Sequence, residues 1–192
     1  MFGLQIDYSN IPRKSNKIKF VLNWLFNRLR SWVLFRIKYH NIGYSGFVRV
    51  MHGTKFNPVV PVTLGNNVQF GFGCFIDAPI TIGNNVLFAG SVHAVGKHDH
   101  EFSIPGQTIW QGKRGEEETT IVEDDVWVGH GAILLGGVTI GKGSIVAAGS
   151  VVTRNIPPCE IWGGNPAVFI KNRFATEEEK NKHIEYLENE IC

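Results

Sequence analysis

The sequence predicts an all-β solenoid, because residues of the type found in protein cores recur every six residues through two long stretches of the chain. The first series runs from Leu64 to Ala94 and the second from Val122 to Val152. The residues that open the six-residue units are Leu64, Phe70, Ile76, Ile82, Phe88, Ala94, Val122, Val128, Leu134, Ile140, Val146 and Val152. Neither a helix nor a half-buried strand has this period, whereas short repeats that stack on one another do.

A second set of small or β-branched residues follows each opener by four places. Its members are Val68, Cys74, Ile80, Val86, Val92, Val126, Ala132, Val138, Ser144 and Ser150. The two sets together favour a triangular prism in which each unit forms one side and the openers fill the interior. Gly-Asn-Asn triplets at 65–67 and 83–85 are expected at its corners, because glycine and asparagine tolerate positive φ.

The two series of six-residue units are called ladders below. A predicted excursion from the solenoid, at about 96–120, separates the first ladder from the second. Ala94 and Val122 lie 28 residues apart, which is not a multiple of six, so the intervening chain must leave the solenoid. A loop of this length without its own periodicity is typical of a functional segment.

The ladders and three motifs resemble the hexapeptide-repeat acyltransferases, in particular the sugar O-acetyltransferases related to maltose and galactoside acetyltransferases and to capsule and O-antigen acetylating enzymes. The motifs are GNNV, DDVWVGHGAILLGGVTIGKGSIVAAGSVVT and the closing IPPCEIWGGNPA, and the similarity covers roughly Val62 to Lys171. The resemblance implies a left-handed parallel β-helix, a homotrimer with each site between two subunits, and acetyl-CoA as co-substrate. It also implies transfer of acetyl to a hydroxyl of a sugar or glycan without an acyl-enzyme.

Three segments are predicted along the 192 residues. Residues 1–61 form an N-terminal helical and extended cap, with irregular chain from Ile42 to Pro61. Residues 62–174 form the β-helix, which the closing motif leaves before 168–174 folds back against it. Residues 175–192 carry a short helix to about Glu190, because Thr176 and Glu179 form a capping box.

Charge is distributed unevenly, although the formal net charge is only +2. Between Tyr8 and Ile76 there are ten Lys and Arg residues and no Asp or Glu. The three cysteines have no metal or redox spacing. No basic leader followed by an apolar segment and a cleavage site appears at Met1, so we expect a cytoplasmic protein.

Within the basic part, 18–39 reads as a helix with one broad apolar arc. The arc contains Ile18, Val21, Leu22, Leu25, Phe26, Leu29, Trp32 and Val33, with Lys17, Lys19, Arg28 and Arg30 outside it. One interpretation is a cap packed on the open end of the solenoid. The other is a peripheral helix at the inner face of the membrane, attracted by anionic lipid. Nucleic-acid binding is disfavoured, because no known binding motif is present.

Acetyl transfer needs a base that is neutral near pH 7, which points to histidine. Of His40, His52, His93, His98, His100, His130 and His183, the resemblance selects the loop motif 97–100, with His98 as base and His100 as the second candidate. Asp99, Glu101 or a backbone carbonyl could orient the imidazole.

Two further positions are assigned to the catalytic site. The resemblance places Trp127 either beside the active site or in a subunit contact. The backbone N–H of Gly129 is the predicted donor to the oxyanion that develops on the thioester carbonyl.

The resemblance also indicates where acetyl-CoA binds. The matching positions are His130, Ala148, Thr153 and Lys171. Val168 stands where the family often has an arginine for the CoA phosphates, which leaves Lys171 and Arg173 for that task. No residue is assigned to a metal.

Three alternatives stay open at this point. Hexapeptide solenoids include metal-dependent carbonic anhydrases, and His93, His98 and His130 could supply ligands across two subunits. The chain could instead acetylate a small molecule that is not a sugar, or serve as a non-catalytic scaffold. The sequence leaves the acceptor and its reacting hydroxyl undetermined.

Overall fold

The computed structural model describes residues 15–190, and their main body is a parallel β-solenoid of five complete three-strand coils and a partial sixth. In chain order the strands are β1 (Ile42–Tyr44), β2 (Val48–Val50), β3 (Lys55–Phe56), β4 (Val62–Leu64), β5 (Val68–Phe70), β6 (Phe75–Ile76), β7 (Ile80–Ile82), β8 (Leu87–Phe88), β9 (His93–Val95), β10 (Thr120–Val122), β11 (Trp127–Val128), β12 (Ile133–Leu135), β13 (Thr139–Ile140), β14 (Ile145–Val146), β15 (Val151–Val152), β16 (Glu160–Gly163) and β17 (Val168–Asn172). Successive strands fall on three sheets in turn. Sheet A is β1-β4-β7-β10-β13, sheet B is β17-β16-β14-β11-β8-β5-β2, and sheet C is β15-β12-β9-β6-β3.

The interior of the prism is built from the predicted ladder. Every opener from Leu64 to Val152 is at most 1% exposed, and the predicted small positions are buried as well. Phe70 and Phe88 stack on consecutive coils with ring centroids 5.1 Å apart. The six-residue period therefore predicts the buried residues correctly, because each unit directs the same positions toward the axis of the solenoid.

The corners confirm the expected role of asparagine and give a different role to the glycine beside it. Asn67 and Asn85 have φ values of 58° and 56°, in the left-handed region. Gly65 is required instead by a close approach, because a Cβ on it would lie 2.6 Å from the carbonyl oxygen of Gly83 in the next coil. Asn67 Nδ2 donates to Asn85 Oδ1 at 2.8 Å, which joins the two coils along this corner.

The solenoid begins earlier than the sequence predicts, because 42–56 forms a complete coil rather than irregular chain. β1, β2 and β3 pair in parallel with β4, β5 and β6 at an offset of twenty residues, as in Ile42 opposite Val62. The corner at 57–61 is two residues longer than its successor at 77–79, and this insertion hides the six-residue register. Asn41 holds the wider corner by donating its Nδ2 to the carbonyls of Asn57 and Val60.

At the other end, the closing motif continues the solenoid before the chain reverses. β16 lies parallel to β14, whereas the motif was expected to leave the solenoid there. β17 then returns antiparallel on β16, as predicted. Helix α2 (Glu177–Glu190) follows, and its capping box is confirmed by bonds from Glu179 N to Thr176 Oγ1 and from Thr176 N to Glu179 Oε2, both 3.2 Å. The predicted N-terminal cap before residue 15 and the last two residues of the C-terminal segment lie outside the described residues.

Helix α1 (Lys17–Val33), extended by one π-helical turn at Leu34–Lys38, covers the open edge of β2. Ser31 Oγ donates to the carbonyl of Val48 at 2.5 Å, and Trp24 stacks on Phe47 with centroids 5.6 Å apart. Phe35 is buried against Phe56. The helix therefore caps the first coil.

The face of α1 that makes these contacts is not the apolar arc. Most of the arc is exposed, with Leu22 at 60%, Phe26 and Leu29 at 62% and Trp32 at 52%. The helix is thus the cap that one interpretation of the sequence described, but it docks through the side opposite the arc. The opposite side of α1 packs on the solenoid because Ser31 there donates a hydrogen bond to the carbonyl of Val48 on the edge strand and Phe35 is buried in the core. Between residues 15 and 190 no helix is both long and apolar enough to cross a bilayer.

Candidate functional site

The excursion between β9 and β10 is an ordered loop whose two arms bind each other. Glu101 N donates to the carbonyl of Lys113 at 2.8 Å, and Gly115 N donates to the carbonyl of His98 at 2.9 Å. Gly115 permits this approach because a Cβ on it would lie 2.5 Å from the carbonyl oxygen of His98. At the far end a single 3-10 turn, Ile109–Gln111, has a capping box from Thr108. The position of His98 is thus set by the opposite arm.

The arms enclose an open cavity of about 680 Å³ that both candidate histidines line. Its other lining residues are Glu101, Phe102, Ser103, Ile104, Gln107, Lys113, Arg114, Gly115, Glu116 and Glu118. His98 is exposed, whereas His100 is half-buried. Nδ1 of His100 is buried and has no hydrogen-bond partner within the described residues. Burying a ring nitrogen without a hydrogen-bond partner costs free energy of folding. His100 is therefore a second histidine of this cavity whose ring nitrogen is available to pair with a ligand.

Neither carboxylate beside His98 orients its ring in the described part of the chain. Oε1 of Glu101 accepts from both the N–H and the hydroxyl of Ser103. These bonds lower the pKa of Glu101, with a smaller contribution from the charge of His98, so its carboxylate stays ionised. The carboxylate of Asp99 lies against Gly96. The imidazole of His98 thus makes no hydrogen bond to any residue that the structure describes.

Gly129, predicted for the catalytic site, comes together with the predicted acetyl-CoA residues His130 and Ala148 on the edge between sheets B and C. Gly129 and His130 lie in the turn that joins β11 to β12, and Ala148 lies in the same turn one coil later. A Cβ on Gly129 would lie 2.5 Å from the nitrogen of Ala148, so the two backbones touch. We call this row the B/C ridge.

The role predicted for the N–H of Gly129 is not supported. That N–H donates to the carbonyl of Val146 at 2.8 Å as part of the coil-to-coil bonding. The sequence could not show this, because the bond depends on how the coils stack. On the same ridge, the N–H groups of His130 and Ala148 make no hydrogen bond to any described residue.

Trp127 lies on the outer face of sheet B, 52% exposed, opposite Leu87 on one neighbouring strand and Ile145 on the other. Leu87 is 48% exposed. This apolar row borders the ridge and suits contact with a second subunit.

The remaining predicted residues lie farther along the chain and have different surroundings. Lys171 is exposed on β17, opposite Ile161. Arg173 donates to Asp125 Oδ2 at 2.6 Å and to the carbonyl of Gly143 at 2.8 Å. His183 of α2 contacts the same Asp125 oxygen at 2.8 Å. Arg173 and Asp125 thus anchor α2 to the solenoid, a contact that the sequence analysis did not identify.

Two groups of predicted residues are therefore separated on the prism. His98 and His100 project with the loop from the edge between sheets C and A, and Thr153 follows β15 at that same edge. The ridge lies at the opposite border of sheet C. Among the described residues of one chain, no three His, Cys, Asp or Glu side chains converge to hold a metal.

Comparison with known families locates the repeats on the two ladders. The family described as "Bacterial transferase hexapeptide (six repeats)" matches residues 119–154, and "Hexapeptide repeat of succinyl-transferase" matches 61–91. The fold and loop define a hexapeptide-repeat solenoid. Both ladders match models of hexapeptide-repeat transferases, so the chain is similar to that family over these two segments.

Two curated relatives illustrate the range of that family. A probable macrolide acetyltransferase of Lysinibacillus sphaericus is 46% identical over 59 residues, 31% of this chain and 33% of the relative. A gamma carbonic anhydrase of Arabidopsis thaliana mitochondria is 44% identical over 79 residues, 40% of this chain and 28% of the relative. The chain thus spans about a third of the length of these relatives.

Two solved structures match over most of the chain. A maltose O-acetyltransferase from Clostridium difficile 630 is 26% identical with a TM-score of 0.56, covering 78% of this chain and 88% of that one. A galactoside acetyltransferase in complex with coenzyme A has a TM-score of 0.60 at 22% identity, covering 86% of this chain and 76% of that one. The second likeness is one of fold.

Proposed function

We propose that the chain is an acetyl-CoA-dependent O-acetyltransferase that acetylates a hydroxyl of a sugar or glycan. The observation that carries the proposal is the loop cavity, which holds His98 in a fixed backbone position on a hexapeptide-repeat solenoid. An exposed histidine that lines an open cavity with several charged side chains suits proton removal from a bound hydroxyl.

In the proposed reaction His98 acts as general base. A ring nitrogen takes the proton of the acceptor hydroxyl while the oxygen attacks the carbonyl carbon of the thioester. The tetrahedral intermediate then expels the CoA sulfur as thiolate, which receives the proton from the imidazolium. Acetyl ends on the acceptor oxygen, and no group of the protein becomes acylated.

The B/C ridge is the proposed donor site. The pantetheine arm of acetyl-CoA would lie along it, because His130 and Ala148 are exposed and their N–H groups have no partner among the described residues. One of these N–H groups replaces Gly129 as the proposed donor to the oxyanion. Lys171 is the proposed contact for the CoA phosphates, since Arg173 is already bound to Asp125.

A homotrimer is the proposed assembly. Loop and ridge lie at different edges of one prism, so a site that uses both is most simply built between two copies. The exposed row of Leu87 and Trp127 provides an apolar surface for that contact. Use of acetyl-CoA fits a cytoplasmic protein.

Sugar acceptors are favoured over apolar small molecules because the cavity carries several charged side chains. Glu101, Glu116 and Glu118 offer acceptors for sugar hydroxyls. The likeness to a maltose O-acetyltransferase supports the same choice. The macrolide acetyltransferase relative keeps a hydroxylated small molecule that is not a simple sugar as the nearest alternative.

A metal-dependent carbonic anhydrase is the second candidate function, favoured by the local match to the plant enzyme. Its metal site would have to form between subunits. Of the residues proposed for it, His93 lies on the outer face of sheet C against Phe75, with ring centroids 6.1 Å apart. Metal analysis and a CO₂ hydration assay on protein supplied with zinc would test this function directly.

The deciding experiment measures release of CoA thiol from acetyl-CoA in the presence of a panel of sugars, nucleotide sugars, amines and hydroxylated antibiotics. We expect release stimulated by one or more sugars, with a product heavier by one acetyl group in the mass spectrum. Stimulation by amines alone would remove O-acetylation of sugars. No binding of acetyl-CoA at all would leave the carbonic anhydrase and the non-catalytic scaffold.

A further inference from the structure

We propose that the exposed apolar arc of α1 binds the surface of an anionic lipid bilayer, so that the solenoid stands with its N-terminal end toward the membrane. This surface consists of Ile18, Leu22, Leu25, Phe26, Leu29, Trp32 and Val33. The proposal does not depend on the catalytic function.

The helix has two faces with different tasks. At 3.6 residues per turn, Trp24 and Ser31 fall on roughly the opposite side of the helix from Leu22 and Leu29. The first pair attaches the helix to β2 and its neighbouring chain through a ring stack and a hydrogen bond. Capping the solenoid therefore leaves the arc outward, and the two interpretations of this helix are compatible.

The contacts that cap the solenoid do not use the arc, so they do not explain why its side chains are large and apolar. Ile18 is 74% exposed, and the other six residues of this surface are between 39% and 62% exposed, whereas Val21 at the border of the arc is half-buried. A row of large apolar side chains on one helix face is a surface that water disfavours, and such patches mark interaction sites. Amphipathic helices of this kind lie in the plane of a membrane interface, with Trp, Phe and Leu toward the acyl chains.

The positive charge around the arc favours an anionic lipid surface as the partner of this helix face. Lys19 borders the arc on one side and Arg28 on the other, and both are exposed. Arg36 and Lys38 add exposed positive charge at the end of the helix. No Asp or Glu occurs between Tyr8 and Ile76, so nothing in this part of the sequence opposes attraction to an anionic surface. A face that pairs with its own copy would place these like charges near one another.

The proposed homotrimer strengthens the effect. Rotation about a three-fold axis does not change a position along that axis, so the three helices would lie at the same level of the assembly. Three weak contacts on one surface bind far more tightly than one. An acceptor attached to a lipid carrier would then be concentrated near the enzyme.

Co-sedimentation of the full chain with lipid vesicles tests the proposal. The probes are vesicles of phosphatidylglycerol mixed with phosphatidylcholine and vesicles of phosphatidylcholine alone, each at low and high salt. We expect binding to the anionic vesicles at low salt, release by salt, and little binding to phosphatidylcholine. The combined variant Leu22→Ser, Phe26→Ser, Leu29→Ser should bind at least about tenfold less.

Matched variants separate this surface from general effects. Val59→Ser with Tyr186→Ser removes exposed apolar side chains outside α1 and should bind like the wild-type protein. Lys19→Gln with Arg28→Gln should weaken binding about tenfold or more, whereas Lys182→Gln on α2 should not.

Two results would overturn the proposal. One is the absence of wild-type binding to anionic vesicles at low salt. The other is a lower molar mass of the triple variant in light scattering without lipid, which would show that a second copy covers the arc. Acetyl transfer to a soluble sugar by the triple variant should be unchanged, so failure of the membrane proposal and failure of the catalytic one are distinguishable.

Discussion

Gly115 donates its backbone N–H to the carbonyl of His98 across the base of the excursion loop, at a distance of 2.9 Å. The pair fixes the backbone of the proposed base from the opposite arm. It also places a steric demand on residue 115, because a side chain there would meet His98 directly.

Gly115→Ala should therefore impair catalysis without unfolding the solenoid. The added methyl pushes the two arms apart and displaces His98, and a displacement of about 1 Å can cost about a hundredfold in rate. We expect kcat/KM for acetyl transfer to fall by about ten- to a hundredfold, with the melting temperature within about 2 °C of wild type because the ladder is untouched.

Gly43→Ala is the matched control for that variant. The nearest atom to its added methyl lies 4.0 Å away, so the change introduces no clash. It should leave kcat/KM near the wild-type value. Equal losses in both variants would show that His98 does not depend on the contact with Gly115.

His98→Ala and His100→Ala should distinguish the two histidines of the cavity. His98 is exposed, so its removal should leave stability nearly unchanged while kcat falls by about two to four orders of magnitude, the usual contribution of a positioned base. His100→Ala should have the smaller effect on kcat, because His100 is assigned no proton transfer.

The comparison needs both rates and melting temperatures for the two variants. The opposite pattern, with His100→Ala inactive and stable and His98→Ala active, would reverse the assignment. His100 is the alternative base in that case, because its buried Nδ1 has no hydrogen-bond partner among the described residues.

Lys171→Ala and Arg173→Gln should separate donor binding from structural anchoring. Lys171 is exposed on β17, so its loss should raise KM for acetyl-CoA about tenfold, with little change in melting temperature. Arg173 is tied to Asp125 and Gly143, so Arg173→Gln should lower the free energy of unfolding by about 1–2 kcal/mol.

Steady-state kinetics with varied acetyl-CoA and urea unfolding of the same preparations provide the two measurements. A large KM effect of Arg173→Gln without loss of stability would restore Arg173 to the phosphate site.

The buried cysteines should make the protein less stable in alkaline solution. Burial raises the pKa of both the Cys74 and the Cys159 thiols above the ordinary value of 9.0. Well below pH 9 the thiols are protonated in folded and unfolded chains alike. Above it the unfolded chain loses these protons first, so the free energy of unfolding should fall as pH rises toward the folded-state pKa.

Urea unfolding between pH 8 and 10 provides the measurement, with Cys74→Ala as the comparison that removes part of the slope. Both thiols should also resist alkylation in the folded protein near pH 8 and react readily in urea, as followed by mass spectrometry of their peptides. Rapid labelling of Cys74 or Cys159 in the native state would contradict the burial argument.

The parts of the fold predicted correctly are those in which the signal is local or strictly repeated. The ladder from Leu64 to Val152 could be read because each opener has the same environment one coil later. The capping box of α2 needs only Thr176 and Glu179. The missed coil at 42–56 shows the limit, because two additional residues at one corner remove the register on which the prediction depends.

The candidate site divides along the same line. The sequence by itself determined the solenoid and the place where the chain leaves it, because these follow from residue type and spacing, whereas the histidine motif on that excursion was selected by the resemblance to a known family. Only the tertiary structure decided that the N–H of Gly129 is bonded to Val146, that Arg173 is held by Asp125, and that α1 docks with its apolar arc outward. These facts depend on which groups from distant parts of the chain meet, and hydrogen-bond partners and exposed faces are fixed only when the coils and helices pack together.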